Sequence, residues 1–226
     1  MRLSLISVLS LVTVFLAGGS ALPSPTSPSD VGGIGGVDEV DEIAGEVLTS
    51  PDGSQYLKLS EGFNTSHPAL DLPHLLELYQ AGQPLPTLPG VPAAPTEHPG
   101  ENRFMNWAPN PELKCQTSGG SPEQSDVLAL AQDLINIGKG GAWCCHKALG
   151  KTCSTMMWRN SAASDLCHWD HKKVCTPCLK VGNAVKEIGT KCGKAGKAGG
   201  RKRFFYYEWF IFGKKFDYEV NAYRIQ

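Results

Sequence analysis

A largely apolar stretch from Leu5 to Ala17 follows Met1-Arg2-Leu3 and gives way to the small residues Gly18-Gly19-Ser20-Ala21. A single positive charge, an apolar stretch shorter than the ~20 residues a spanning helix needs, and a small-x-small exit define a secretory signal peptide. The expected mature chain starts near Ser20 to Leu22, with residues 1–21 removed. No later apolar run is long enough to anchor the chain in a bilayer.

For the next ninety residues periodicity is almost absent. Ser/Pro and Gly-rich stretches (Pro23 to Pro28, Gly32 to Gly36) open this part and a proline-dense run from Pro84 to Pro99 closes it. Such composition offers little apolar surface to offset the entropy of ordering. Residues 22–112 therefore read as a largely disordered pro-segment or spacer. One island interrupts it, with Leu70, Leu72, Leu75, Leu76, Leu78 and Tyr79 on a short helix that starts near Asp71-Leu72-Pro73 and ends at Gly82. The pattern leaves open whether this helix docks on a folded domain or stands alone.

Periodicity sharpens after Leu113. Ser121-Pro122-Glu123-Gln124 predicts a helix start, with Ser121 as N-cap and Gln124 completing a capping box. Apolar positions Val127, Leu128, Leu130, Ala131, Leu134, Ile135 and Ile137 follow, and Gly138 is the expected C-cap. A second helix is predicted from Thr176-Pro177 through Val181, Val185 and Ile188, with Gly189 as terminator and Cys178 and Cys192 on the core face. Between them, Lys151 to Trp158 and Ala162 to Trp169 form a predicted hairpin around Arg159-Asn160-Ser161, a register that sets Cys153 opposite Cys167. After a flexible Gly193 to Gly200 stretch comes a closing hairpin, Arg203 to Phe212 and Phe216 to Tyr223, turning at Gly213-Lys214-Lys215. Its second strand alternates, Phe216, Tyr218, Val220 and Ala222 on one face against Asp217, Glu219 and Asn221 on the other. With a short strand around Leu113 to Thr117 the order is β-α-β-β-α-β-β. The predicted fold of residues 113–226 is thus a small disulfide-rich α+β sandwich, an antiparallel sheet with two helices on one face.

Cysteine placement and charge reinforce the division. All eight cysteines (Cys115, Cys144, Cys145, Cys153, Cys167, Cys175, Cys178 and Cys192) fall within 78 residues. In an exported chain an even count in so small a unit implies a disulfide framework, and four bridges allow 105 connectivities. From Leu22 to Glu112 there are 13 acidic residues against Lys58 and Arg103, a net of −11, whereas 18 basic and 9 acidic residues give +9 from Leu113 onward. The acidic part either shields the basic domain before release or keeps the chain soluble. No dibasic pair lies at the junction, and Lys202-Arg203 falls within a predicted strand. Asn64-Thr65-Ser66 is an N-glycosylation sequon.

The cysteine-rich part resembles fungal secreted proteins of the killer-toxin-like class and the related necrosis-inducing effectors. The resemblance rests on Cys115 followed by Ser118-Gly119-Gly120-Ser121-Pro122 opening a helix, on Cys153, on Ser161 to Cys167, and on Cys192 with the Gly-rich Gly193 to Gly200 before two final strands. It covers roughly the last half of the chain and implies a compact α/β sandwich without a catalytic centre. The implied role is to kill or inhibit competing fungi or to manipulate a plant host. The long acidic segment, the adjacent Cys144-Cys145 pair and the aromatic final hairpin depart from that layout.

Three constellations bear on chemistry. Lys191, Lys194, Lys197, Arg201, Lys202 and Arg203, interleaved with glycine and followed by aromatics, form the expected target-binding surface. The expected partner is a host or competitor cell-surface component (membrane, channel or wall), engaged by a monomer without a cofactor and without nucleic acid. Cys144-Cys145-His146 with Cys167-His168, His171, Cys175 and Cys178 has metal-ligand spacing, but an oxidising compartment converts such cysteines to disulfides before they meet metal. Tyr206-Tyr207-Glu208-Trp209 resembles the strand of guanyl-specific fungal ribonucleases that carries a general base, here Glu208. That chemistry also needs a downstream arginine and histidine, and only Arg224 follows. No nucleophile elbow, phosphate loop or paired-carboxylate motif occurs elsewhere, so a non-enzymatic binding protein is the leading expectation, ahead of a ribonuclease-like enzyme and an extracellular metal-binding protein.

Overall fold

The computed structural model describes residues 43–49, 54–97, 111–148, 152–168, 173–208 and 214–225. The expected signal peptide, the stretches between Pro23 and Gly36, and His171 lie outside them. The fold is α+β, with two antiparallel sheets, three helices and four disulfides.

One sheet is built from the strands expected of the cysteine-rich part. β3 (Glu112–Cys115), β5 (Thr152–Arg159), β6 (Ala162–His168), β8 (Gly200–Glu208) and β9 (Lys214–Arg224) pair in the order β3-β8-β9-β6-β5. The β5-β6 hairpin turns at Asn160, whose φ of 47° suits a residue with a short polar side chain. Its register pairs Cys153 with Cys167, and the two are bridged. Two helices run along this part, α2 (Gln124–Lys139) against β5 and β6 and α3 (Cys178–Lys191) against β8 and β9. They also pack closely on each other. Val127, Leu130, Leu134 and Ile137 of α2 meet Val181, Val185 and Ile188 of α3 in the main core, with Val220 and Ala222 of β9 beneath.

Both helices depart at their ends from the expected boundaries. Ser121 does not cap α2, because its Oγ accepts the Ser118 N–H at 2.9 Å. Pro122 and Glu123 are instead held extended, the Pro122 carbonyl accepting from Ala198 and Glu123 bridging to Lys197. The cap comes from the β5-β6 turn, where Ser161 Oγ accepts the Glu123 N–H at 3.0 Å. At the other end Gly138 is an interior residue of α2, and the cap is Gly140. A Cβ on Gly138 would lie 2.2 Å from the Leu179 backbone nitrogen, so the glycine is there for close helix approach. Likewise Thr176 is not the cap of α3; Pro177 occupies that position, and Gly189 lies inside the helix against Leu128.

The larger correction concerns the acidic segment. Its described residues, 43–49 and 54–97, are not a disordered spacer. β1 (Gly45–Thr49) and β2 (Gln55–Leu59) form a hairpin, and β2 pairs with β7 (Val174–Pro177), which pairs with β4 (Trp143–Cys145) to complete a second sheet, β1-β2-β7-β4. The short strands β4 and β7 lack enough residues to show alternation, and the predicted single sheet omitted them.

This second sheet has a hydrophobic cluster on each side, as strand alternation requires. Cys144 and Val174 face the main core, with Tyr56 packed against it. Leu57, Trp143, Cys145 and Cys175 face a second cluster closed by Phe63, Leu70, Leu88, Val91 and Ala94. The proline-dense stretch therefore covers one side of the sheet. Proline lacks an N–H but keeps its carbonyl, and these carbonyls are used: Pro92 accepts from Trp143 Nε1 at 3.0 Å and Pro89 from the Ala44 N–H at 3.0 Å. The leucine island forms α1 (Leu72–Gln80), capped by Asp71 and followed by Gly82 at a φ of 65°. Leu72 and Leu75 enter the main core, so this helix is docked.

Two substitutions test this arrangement. Leu57→Ala should lower unfolding free energy by about 2–5 kcal/mol in denaturant titrations, as a buried core leucine does; a surface-like loss below 0.5 kcal/mol would contradict the packing of residues 43–97. Gly138→Ala should cost about 3 kcal/mol or more through overpacking, whereas Gly119→Ala, with open space around it, should be neutral within about 0.5 kcal/mol.

Candidate functional site

The six cations of the expected binding surface lie at the end of α3, in the turn that follows it, and on β8. The Gly193 to Gly200 stretch is not a flexible loop. Cys192 ends α3 and is bridged to Cys115 in β3. Thr117 Oγ donates to the Cys192 carbonyl at 2.6 Å and accepts the Gly199 N–H at 3.1 Å. Lys194 and Lys197 exchange two backbone hydrogen bonds around Ala195 and Gly196, both at positive φ. The Gly196 carbonyl accepts the Gln124 N–H at 2.8 Å, and a Cβ on Gly193 would collide with Gln124 Nε2 at 2.2 Å. Glycine here permits contact between the turn and the start of α2, and the contacts hold the turn still.

Most of these cations have local counter-charges. Glu187, one turn before the end of α3, accepts from Lys191 at 2.8 Å and also from Lys202. Lys197 pairs with Glu123. Arg201 and Arg203 approach Glu219 on the neighbouring strand at 3.4 and 3.9 Å. Lys194 is exposed and has no ion-pair partner among the described residues. Among the described residues five of the six cations thus share three carboxylates, and the surface keeps a moderate positive charge with Lys194 lacking a counter-charge.

Glu219, on the more polar face of β9, is only 4 % exposed. Its burial beside two guanidinium groups makes Arg201 and Arg203 partly structural, since a buried carboxylate without cations is strongly disfavoured. The acidic partners were missed because a charge run read along the chain does not reveal what pairs with it across a sheet. Lys180 and Lys202 extend the cationic character inward, with ammonium groups 5.1 and 5.3 Å from the Phe204 ring centre. That ring stacks on Tyr218 at 4.7 Å.

The Cys/His constellation is brought together in a different form. Cys144–Cys178, Cys145–Cys175 and Cys153–Cys167 are disulfides, and no cysteine is free. The thiolates that a cysteine-ligated metal site requires are therefore consumed. His146 and His168 are buried with ring centres 6.2 Å apart, and His146 Nε2 lies 2.7 Å from the Thr152 carbonyl. No group of three or more metal-ligating side chains occurs among the described residues. Glu208 ends β8 opposite Lys214; its side chain lies outside the described residues. Asn64 is exposed in a turn, its Oδ1 accepting from Ser66 at 2.9 Å.

No family model matches the chain, and neither the curated proteins nor the solved structures provide a match. No helix among the described residues is long and apolar enough to cross a membrane.

Two carboxylates that hold the site are acidified by their surroundings. Hydrogen bonds from the Ser161 hydroxyl, the Asn160 amide and the Ser161 N–H keep Asp126 below its usual pKa. For Glu187, desolvation pushes the pKa up, but the hydrogen bonds and charges of Lys191 and Lys202 outweigh it and the net direction is down. A depressed folded-state pKa means stability present above the unfolded value, about 4 for these groups, and lost as pH falls through the folded value. Melting temperature should accordingly fall as pH is taken from 5 toward 2, and Asp126→Asn should reduce both stability at pH 7 and the acid-side slope. An unchanged slope in Asp126→Asn would contradict the assignment.

Proposed function

We propose that the chain is a secreted protein of the effector or antifungal, killer-toxin-like kind, which acts without catalysis by binding a component of a target-cell surface. The observation that carries this reading is the covalently framed cationic turn, fixed by the Cys115–Cys192 bridge and by hydrogen bonds to β3 and α2. A rigid turn loses little conformational freedom when it meets a partner. Full oxidation of the eight cysteines supports an oxidising, extracellular setting. The sandwich layering of the killer-toxin-like class belongs to the same reading, with α2 and α3 on one face of the five-stranded sheet.

The acidic segment takes a narrower role within it. Residues 43–97 carry no cysteine and complete the second sheet, so removal of the whole of residues 22–112 would strip β2 from β7 and uncover Trp143. Processing on this reading falls before Ile43. Lys191 and Lys194 are the contact residues, together with the outer parts of Arg201 and Arg203.

Binding of the oxidised, full-length secreted protein to intact fungal cells and plant protoplasts tests the proposal. Association should weaken steadily between 50 and 500 mM salt, and the pair Lys191→Glu, Lys194→Glu should weaken it on the order of tenfold or more at low salt. Failure to bind any cell type, or binding indifferent to both salt and charge reversal, would end this reading.

A further inference from the structure

The five-stranded sheet has a second face, opposite the main core, and one end of it carries a patch of its own. Leu166, Tyr218, Val220 and Ala222 enter the core, so alternation turns Ala163, Asp165, Asn221 and Tyr223 the other way. Trp158, Ala163 and Tyr223 form one cross-strand row over β5, β6 and β9. Ile225 continues the ladder beyond Tyr223, donating to the Ser161 carbonyl at 3.2 Å, and points to the same side. Four large hydrophobic side chains are exposed among the described residues, and three of them are Trp158, Tyr223 and Ile225. Exposed apolar side chains scattered singly need no explanation, whereas three gathered at one end of a flat face mark a contact surface.

The patch is shaped before any partner arrives. The Tyr223 hydroxyl donates to Asp165 Oδ1 at 2.7 Å and lies 3.3 Å from Thr155 Oγ1, so the ring reaches from β9 across β6 toward β5, beside the buried methyl of Ala163. Held in this way, Tyr223 is 36 % exposed, and Trp158 on the edge strand β5 is 59 % exposed. Farther along the same two strands the Cys153–Cys167 bridge fixes β5 to β6. The polar groups at the rim keep open positions. Asp165 Oδ2 and Asn221 Oδ1 have no hydrogen-bond partner among the described residues, since Asp165 uses Oδ1 and Asn221 donates its amide to Cys167 Sγ.

We infer that this face binds a neutral, unbranched sugar chain of the β-1,4-linked glucose or N-acetylglucosamine kind, laid over Tyr223 and Trp158. Such a chain is a ribbon with C–H bonds on its broad sides and hydroxyls along its edges. The broad side suits an oriented aromatic ring, and the edge hydroxyls donate to the open oxygens of Asp165 and Asn221. Charge argues against anionic polymers. The charged group within the patch is the Asp165 carboxylate, and Arg201 and Arg203 on the same face are drawn to Glu219. A nucleic acid or a uronate would therefore meet like charge. A bilayer would strip water from Thr155, Asp165 and Asn221 without replacing their hydrogen bonds. Because β5 is an edge strand, a long chain can run past Trp158 and off the sheet. None of the cationic-turn residues takes part.

The test is calorimetric titration of the oxidised full chain with the β-1,4-linked hexamers of glucose and of N-acetylglucosamine. An α-1,4-linked glucose hexamer, which coils, and a galacturonic acid hexamer are the controls, and amide and indole NMR shifts place each ligand. At least one β-linked hexamer should bind on the order of tenfold tighter than either control, with shifts at Trp158, Asp165 and Tyr223, and the tighter of the two identifies the sugar. Trp158→Ala should lower that affinity about tenfold, and Tyr223→Phe, which keeps the ring but frees it from Asp165, by a smaller factor. Spectra unaltered elsewhere would show that the variants fold. The pair Lys191→Glu, Lys194→Glu should keep hexamer binding, so loss of this inference and loss of the cationic-turn reading are seen separately. Binding of neither β-linked hexamer, equal affinity for a control, an unaffected Trp158→Ala variant, or shifts centred away from Trp158 and Tyr223 would each overturn the inference. Self-association centred on Trp158 in sedimentation would also overturn it, by assigning the patch to a second copy of the chain.

Discussion

Two adjacent cysteines impose the constraint on which both hydrophobic clusters depend. In a strand, neighbouring side chains point to opposite faces, so Cys144 and Cys145 of β4 necessarily reach in opposite directions. Cys144 is bridged to Cys178 at the start of α3, within the main core, and Cys145 to Cys175 of β7, within the second cluster. One dipeptide therefore fastens the small sheet on both sides. Because β7 runs directly into α3, the same pair also sets where that helix begins. Disulfides closing loops of such lengths contribute typically about 2–4 kcal/mol each, through a mechanism that is at least partly a restriction of the unfolded chain.

The cationic turn is placed relative to this frame. With its start fixed at Cys178, α3 crosses α2 at Gly138 and Gly182, where a Cβ would strike the partner helix, and it ends at Cys192 under a second bridge to β3. The cationic turn follows immediately. Its charge is tempered by Glu187, Glu123 and Glu219, which leaves Lys194 as its unpaired ammonium among the described residues. The outcome is a rigid surface of modest charge, suited to a shaped, polar target more than to nonspecific attraction.

The acidic and basic parts of the chain, so different in composition, are joined into one core without a covalent link between 43–97 and the cysteines. Leu57, Leu70, Leu72 and Leu75 make that union by burial, each worth about 1.5–3 kcal/mol when fully removed from water. Lys147 adds a polar tie to the Leu70 carbonyl at 2.8 Å, and desolvation there lowers its pKa. Extended proline-rich chain can lie across a sheet because it brings carbonyls and side chains while having few N–H groups to satisfy.

Local pattern determined the α+β class, both longer helices, the 152–168 hairpin with its Cys153–Cys167 bridge, and the antiparallel closing strands. These depend on neighbours within a few residues, where 3.6-residue and two-residue periods and turn chemistry act directly. The tertiary structure decided what no local window contains. It selected three further bridges from the possible pairings, and it supplied α2 with a cap from Ser161, thirty-eight residues after Glu123. It also buried Glu219 beside two guanidinium groups of the neighbouring strand, and turned a proline-rich stretch into the cover of a sheet. Each of those outcomes is set by a partner distant in sequence, and composition records what a segment contains but not what it meets.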